Sequence, residues 1–315
     1  MKISYLNAPY TDLSVENQPL RGTGIEIMPY SVRDESEVIR AAKEADAILT
    51  VTAPISARVV AELEHCKVVV RLGVGYDIVD IDSCQKRGII VCNVPDYGTE
   101  EVANHAIALC FTVHRRILEY HQNIKKGDWS YVLPWPIHRL STLRAGVLGL
   151  GRIGTTFAQG IKPFVREVVA FDPFLGPEQF KAKGITEATT VEIFETCEII
   201  SLHLPLSKEN RHFIADAAIA QMKRKPVLIN VSRGGLIDSA ALARGLRSGQ
   251  LSGAGIDVFE NEPELPPEYL TLDNIVLSPH VAWYSEEANL QLRTSAVEEI
   301  VRVLTGKVPK NPVVR

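Results

Sequence analysis

The sequence predicts an α/β protein of two domains, each built on a parallel sheet, and three observations lead there. At 315 residues the chain is about twice the length of a usual single domain. Short apolar runs alternate with helical spacings almost throughout. Near-continuous apolar strands separated by helices belong to parallel sheets covered on both faces. A glycine-rich hexamer, GLGRIG at 149–154, stands mid-chain with a strand pattern before it and a helix pattern after it.

The elements follow in order. DAILTV (46–51), KVVVRL (67–72) and IIVCNV (89–94) read as strands, with the helical spacing SARVVAELEH between the first two. This run, up to about Pro95, has no phosphate-binding glycines. From Thr99 one long helix is expected, TEEVANHAIALCFTVHRRILEYHQNIKKG, with Thr99 as N-cap and acids in its first turn. RAGVLGLG (144–151) is the strand entering the hexamer, and TTFAQGIKPF continues as helix. EVVAFD (167–172), EIISLHL (198–204), PVLINVS (226–232) and GAGIDVF (253–259) are further strands, with helix DSAALARGLRSG between the last two. NIVLSPH closes another strand at His280, and SEEANLQLRTSAVEEIVRVLTG forms a final helix behind Ser285.

Composition narrows the function classes. A formal net charge of -4 gives no general attraction to nucleic acid or anionic membrane. No run of about 18 apolar residues is long enough to span a bilayer. MKISYLNAPYTDLS lacks the apolar core of a signal peptide. Five cysteines, odd in number and in no CxxC pair, fit reduced thiols in a cytoplasmic setting, each most simply a small buried hydrophobe. The histidines outside His280 are scattered without HxH or HExxH spacing, so no metal site is expected.

The hexamer has the context a dinucleotide site requires. Gly149 permits the tight turn, Gly151 lets a pyrophosphate approach the backbone, and Gly154 lets helix and strand pack closely. Free N–H groups at the helix start then face the anion. Asp172 ends the next strand, where a carboxylate accepts from both adenosine ribose hydroxyls and repels a 2′-phosphate, favouring NAD over NADP. Arg152, inside the motif, either assists the pyrophosphate or is simply solvated. The plainer alternative for the whole motif is a structural strand–turn–helix.

Three later strand ends carry chemically capable residues: Arg233 in NVSRGG, Asp257 and Glu262 in GIDVFENEP, and His280 in SPHVAWYSEEA. Ligands of open parallel sheets sit beyond the carboxyl ends of strands. Hydride transfer to a 2-keto acid needs a cation for the substrate oxygens, a proton donor for the carbonyl and a carboxylate to orient that donor. Arginine, glutamate and histidine supply all three. Each also has a structural reading: an ion-pairing arginine, a glutamate solvating a proline-rich loop, a packed core imidazole.

RLGVGYDIVDID, CNVPDYGTEEVANHAIAL, VLGLGRIG, HLPLSKEN, NVSRGGLID, GIDVFENEP and SPHVAWYSEEA, from about residue 70 to 288, together resemble the D-isomer-specific 2-hydroxyacid dehydrogenase family. That resemblance implies two flavodoxin/Rossmann-like domains with parallel sheets. A nucleotide-binding domain at 99–285 would be inserted into a discontinuous substrate domain of 1–98 plus 286–315. It implies an NAD-dependent oxidoreductase of small 2-keto and 2-hydroxy acids, D-specific, and a homodimer. Arg233, Glu262 and His280 would be catalytic, with His280 the general acid/base. Gly149, Gly151, Arg152, Ile153 and Gly154 would hold the cofactor with Asp172, while His203 and Pro205 line its adenosine side. Asp257 would accept from the nicotinamide carboxamide. Backbone amides of Val74 and Gly75 would receive the substrate carboxylate.

HVAWYSEEA and the arginine of RLGVGYD resemble most closely the C-terminal-binding protein subgroup, the NAD(H)-dependent corepressors. This implies that Trp283 lines the substrate pocket and Arg71 contacts a carboxylate. Their plainer readings are an indole packed beneath the last helix and a surface arginine. It also keeps open a second function, an NAD(H)-sensing interaction protein with low turnover. Asn104 departs from the family, which usually carries an acid there. With GKVPKNPVVR following the last helix directly, neither the corepressors' long tail nor a regulatory extension is expected.

Overall fold

Apolar runs become fully buried parallel strands in both halves of the chain. The computed structural model describes residues 1–132 and 136–313. It divides into two compact units, one of Met1–Gly98 with Ser285–Arg315 and the other Thr99–Tyr284.

The first unit alternates β1 (Lys2–Leu6), α1 (Ser14–Leu20), β2 (Glu26–Tyr30), α2 (Glu35–Ala42), β3 (Ala47–Thr50), α3 (Ala57–Glu62), β4 (Val68–Arg71), α4 (Ile81–Lys86) and β5 (Ile90–Cys92). All its strand pairs are parallel, in the order β2-β1-β3-β4-β5. That is the flavodoxin-like order. β3 is buried at every residue, as an apolar central strand requires, whereas the edge strand β2 buries only Ile27 and tolerates Pro29. Asp34, Ser56 and Asp80 cap α2, α3 and α4 by accepting from backbone N–H groups.

The second unit holds α5 (Thr99–His114), α6 (Ile117–Lys125), β6 (Arg144–Leu148), α7 (Arg152–Ile161), β7 (Glu167–Phe171), α8 (Pro177–Lys183), β8 (Thr186–Glu187) and α9 (Thr190–Thr196). It continues with β9 (Ile199–Leu202), α10 (Asp216–Gln221), β10 (Val227–Asn230), α11 (Ser239–Arg247), β11 (Gly253–Ile256) and β12 (Ile275–Leu277). Its parallel sheet runs β12-β11-β10-β9-β6-β7-β8, the Rossmann arrangement with one strand added. Alternate residues feed two cores: Ala145 and Val147 on one face with Phe157 and Ile161 of α7, Leu148 and Ile200 on the other with Leu242 and Leu246 of α11.

The single helix expected from Thr99 is two. α5 stops at His114, and Arg116 takes a left-handed conformation (φ 55°) before α6 begins. Arg116 is buried, and its guanidinium donates to the Ser252 carbonyl at 2.8 Å and to Glu119 at 2.9 Å. A partner 136 residues away in sequence ends the helix, which is why RR gave no warning.

The last helix, α12 (Glu286–Leu304), starts as expected, with Ser285 accepting from the Ala288 N–H. It lies against β3, β4 and α1, so the chain's end completes the first unit. Arg293 of α12 donates to both oxygens of the fully buried Glu16 of α1, at 2.8 and 2.6 Å, and its guanidinium stacks on the Tyr10 ring. No described helix is long and apolar enough to cross a membrane.

Candidate active site

In the seven-stranded sheet the order reverses between β6 and β9, and the glycine hexamer turns there. Gly149 has φ 95°, and a Cβ on it would lie 2.6 Å from the His203 carbonyl oxygen at the end of β9. A Cβ on Gly154 would lie 2.0 Å from the Gly149 carbonyl. Both glycines are therefore demanded by the fold itself. Gly151 is different: it has an ordinary φ of −68°, and a Cβ there would meet nothing within 4 Å. This space lies at the N-terminus of α7, beside exposed Arg152 and half-buried Ile153, where free N–H groups suit an anion.

Asp172 follows β7. Its carboxylate accepts from the Leu150 N–H of the glycine turn at 2.8 Å and from the Phe174 N–H at 2.9 Å, which fixes it beside that turn. The His203 ring stacks obliquely on Phe157, 5.1 Å between centroids, and shares a 2.9 Å hydrogen bond with Ser201 through Nε2. Burial pushes this imidazole down to about 3, so it is neutral. Pro205 is exposed, and its carbonyl accepts from the Asn210 side chain.

Arg233, Asp257 and His280 follow β10, β11 and β12, three neighbouring strands. Buried Asn230 directs the first: its side-chain amide donates to the Arg233 carbonyl at 2.9 Å while its oxygen accepts from the Ser232 N–H. Asp257 is fully buried and acts as the mount for residues 278–282. It accepts from Ser278 Oγ at 2.6 Å and from the Val281 and Ala282 N–H groups, each at 3.0 Å. Pro279 and His280 thus form the apex of an arch whose two feet are tied to one carboxylate.

His280 has φ 52°, unusual for a non-glycine residue. Its N–H donates to the Asp257 carbonyl at 2.7 Å, its carbonyl accepts from Trp283 Nε1 at 3.0 Å, and its ring Nδ1 donates to Glu262 Oε2 at 2.6 Å. The other Glu262 oxygen accepts from the Phe259 N–H at 2.9 Å. Burial pushes the Glu262 carboxyl up. The His280 hydrogen bond and charge, the Phe259 N–H and the Arg233 charge outweigh that and hold it below its ordinary value. With Nδ1 committed, Nε2 is the ring nitrogen left to exchange a proton.

FENEP offers two glutamates, and both meet a histidine. Glu260 sits 2.6 Å from His212, but its other oxygen accepts from the Ser239 N–H and hydroxyl at the start of α11, and Arg211 approaches at 3.3 Å. Glu260 is spent on joining loops, whereas Glu262 orients the arch.

Sequence reasoning missed His105, on α5. Since Asp257 only accepts, the Ser278 hydroxyl must donate to it, and His105 Nε2 then donates to Ser278 at 2.9 Å. A signal was present. His105 shares a helix face with buried Val102, Ala106 and Leu109, where a polar side chain needs a partner. Among the described residues no cluster of His, Cys, Asp and Glu is suited to a metal ion.

Arg71, Val74 and Gly75 belong to the first unit and lie at the carboxyl end of β4. Arg71 folds back over Gly73, whose Cβ would fall 1.6 Å from Nη1. Asn93 Nδ2 donates to the Val74 carbonyl at 2.6 Å and steadies that loop.

Residues 107–282 match the family model described as D-isomer specific 2-hydroxyacid dehydrogenase, NAD binding domain. The chain is 34% identical to a glyoxylate reductase of Korarchaeum cryptofilum over 87% of its own length and 84% of that protein. It is 32% identical to a D-3-phosphoglycerate dehydrogenase of Archaeoglobus fulgidus over 93% of its length, spanning 56% of that longer protein. The solved structure of D-lactate dehydrogenase from Aquifex aeolicus, complexed with NAD and lactic acid, superposes with a TM-score of 0.89 at 28% identity, covering 99% of both chains.

Proposed function

Because the chain belongs to the D-isomer specific 2-hydroxyacid dehydrogenase family, we propose that it reduces a small 2-keto acid to the D-2-hydroxy acid at the expense of NADH, and catalyses the reverse oxidation. One observation carries this reading: an imidazole at the apex of a fixed arch, with Nδ1 bonded to Glu262 at 2.6 Å, on the sheet that bears the glycine turn.

The open space at Gly151 and the carboxylate of Asp172 fit a dinucleotide. The α7 amides at Gly151, Arg152 and Ile153 would receive its pyrophosphate, Asp172 its ribose hydroxyls, and His203 and Pro205 its adenosine side. Asp257, fully buried and bonded through both oxygens to Ser278, Val281 and Ala282, would serve as the mount of the arch rather than as a direct contact of the carboxamide. When bound, the cofactor supplies the hydride.

The rest is the work of side chains. His280 delivers a proton from Nε2 to the carbonyl oxygen of the substrate, and in oxidation takes it back. Glu262, ionised below its ordinary range, keeps Nδ1 protonated and the ring in one orientation. Arg233 grips the keto oxygen and carboxylate. On the first unit, Arg71 and the amides of Val74 and Gly75, at the carboxyl end of β4, would suit a carboxylate. Trp283 supplies an apolar wall that favours a substrate with a side chain over glyoxylate.

A homodimer is proposed as well, supported by the exposed apolar residues Ile117, Ile124, Trp129, Tyr131 and Val132 on and just after α6. The proposed location is the cytoplasm, on the sequence grounds given above.

The test is NADH oxidation with a panel of 2-keto acids differing in side-chain size and charge. Rapid turnover of at least one apolar keto acid is expected. Tight NADH binding with negligible turnover of every acid, together with capture of a peptide partner, would replace the enzyme reading with the corepressor-like one.

A further inference from the structure

We propose that Trp283 is a positioning residue for proton transfer, because its indole N–H holds the backbone carbonyl of His280 and thereby the direction of the imidazole. The proposal rests on His280 being the acid.

The geometry behind it is local. Asp257 ties the arch at Ser278, Val281 and Ala282, and its 3.0 Å bond from the Val281 N–H holds one edge of the peptide plane that follows His280, leaving the opposite edge of that plane to another partner. The carbonyl of that plane accepts from Trp283 Nε1 at 3.0 Å. Its orientation sets ψ of a residue already in a left-handed conformation, with φ 52°. The N–H of His280 is held by the Asp257 carbonyl at 2.7 Å. With both flanking peptide planes fixed, the Cα–Cβ bond has one direction, and the 2.6 Å bond to Glu262 then selects a single ring orientation.

The indole itself is anchored. It packs against the core that contains Ala282 and Val102, and meets Tyr284 edge-on at 5.5 Å. A phenylalanine would keep apolar bulk at this place while removing the donor. A loosened acid loses reaction rate rather than substrate affinity, since it is its geometry at the moment of transfer that suffers.

The experiment compares Trp283→Phe with the parent across the keto-acid panel. kcat should fall about tenfold for every acid whatever its side chain, in addition to any change in KM that follows from the smaller apolar wall. In a His280→Gln background the same change should cost nothing further in kcat, because there is no acid left to aim. A Trp283→Phe effect confined to KM and graded with substrate size would overturn the proposal, leaving the indole as a wall alone. If Trp283→Phe does not fold, the tryptophan is replaced by its benzothiophene isostere, which keeps both rings and exchanges N–H for sulfur. Unchanged kcat in that protein overturns the proposal, and a tenfold loss supports it. Failure of the underlying reading is separate: His280→Gln would then retain reductase activity.

Discussion

Replacing Gly151 and Gly154 in turn by alanine separates what the fold needs from what a ligand needs. At Gly154 the added methyl would sit 2.0 Å from the Gly149 carbonyl oxygen. This is more than about 1 Å inside ordinary contact. The carbonyl cannot retreat easily, because Gly149 donates its own N–H to Phe171 at 2.8 Å and its α-carbon is pressed on the His203 backbone. A cost of about 3 kcal/mol is expected, lowering Tm by roughly 6–12 °C. At Gly151 the methyl meets nothing, and φ of −68° suits alanine. Lost chain entropy in the unfolded state favours alanine by about 0.4–1 kcal/mol, and a weaker N-cap opposes it by a similar amount. Gly151→Ala should therefore change stability by less than about 0.5 kcal/mol, yet weaken NADH by at least about tenfold. Thermal melts and a fluorescence titration of NADH measure the two quantities. Unchanged NADH affinity in a folded Gly151→Ala protein would refute the placement of a pyrophosphate at this turn.

Three further expectations concern charge. Glu262→Gln should lower kcat for keto-acid reduction by at least about tenfold, since a neutral amide in place of the carboxylate no longer fixes Nδ1–H and the ring in one orientation; an unchanged kcat would break the pairing. Asp172→Ser should lower the NADH-over-NADPH preference in kcat/KM by at least about tenfold, because the carboxylate fixed by Leu150 and Phe174 no longer repels a 2′-phosphate. Burial holds His203 down at about 3, so the unfolded chain takes up a proton near pH 6.5 that the folded chain refuses. Its contribution is complete above pH 6.5 and is lost by up to about 1.4 kcal/mol per pH unit on acidification. His203→Asn should accordingly flatten the urea midpoint against pH between about 4 and 6.5.

Much of the fold was legible because its rules are local. Central strands such as β3, β9 and β10 are buried on both faces and announce themselves as near-continuous apolar runs. Edge strands do not: β2 buries one residue and contains Pro29, and β8 has two residues, both exposed. The start of α12 was readable from Ser285 and the acids behind it. The break before α6 was not, since it depends on where the Arg116 guanidinium finds Ser252.

By itself, the sequence determined the strand–turn–helix at Gly149–Gly154, the acidic residue after the next strand, and which strand ends carry arginine, carboxylate and imidazole. Spacing suffices there because a turn and a helix start are set by neighbours in the chain. The resemblance names Glu262, and only the tertiary structure shows why its neighbour is otherwise engaged: both lie 2.6 Å from a histidine, but Glu260 also accepts from Arg211 and Ser239, whereas the second oxygen of Glu262 accepts from the Phe259 N–H. It also decided that Asp257 ties both feet of the arch, that His105 reaches it through Ser278, and that the indole of Trp283 donates to the backbone of His280. Those bonds depend on the register of β11 against β12 and on α5 crossing the same sheet. Such contacts join residues far apart in the chain, and no local pattern encodes them.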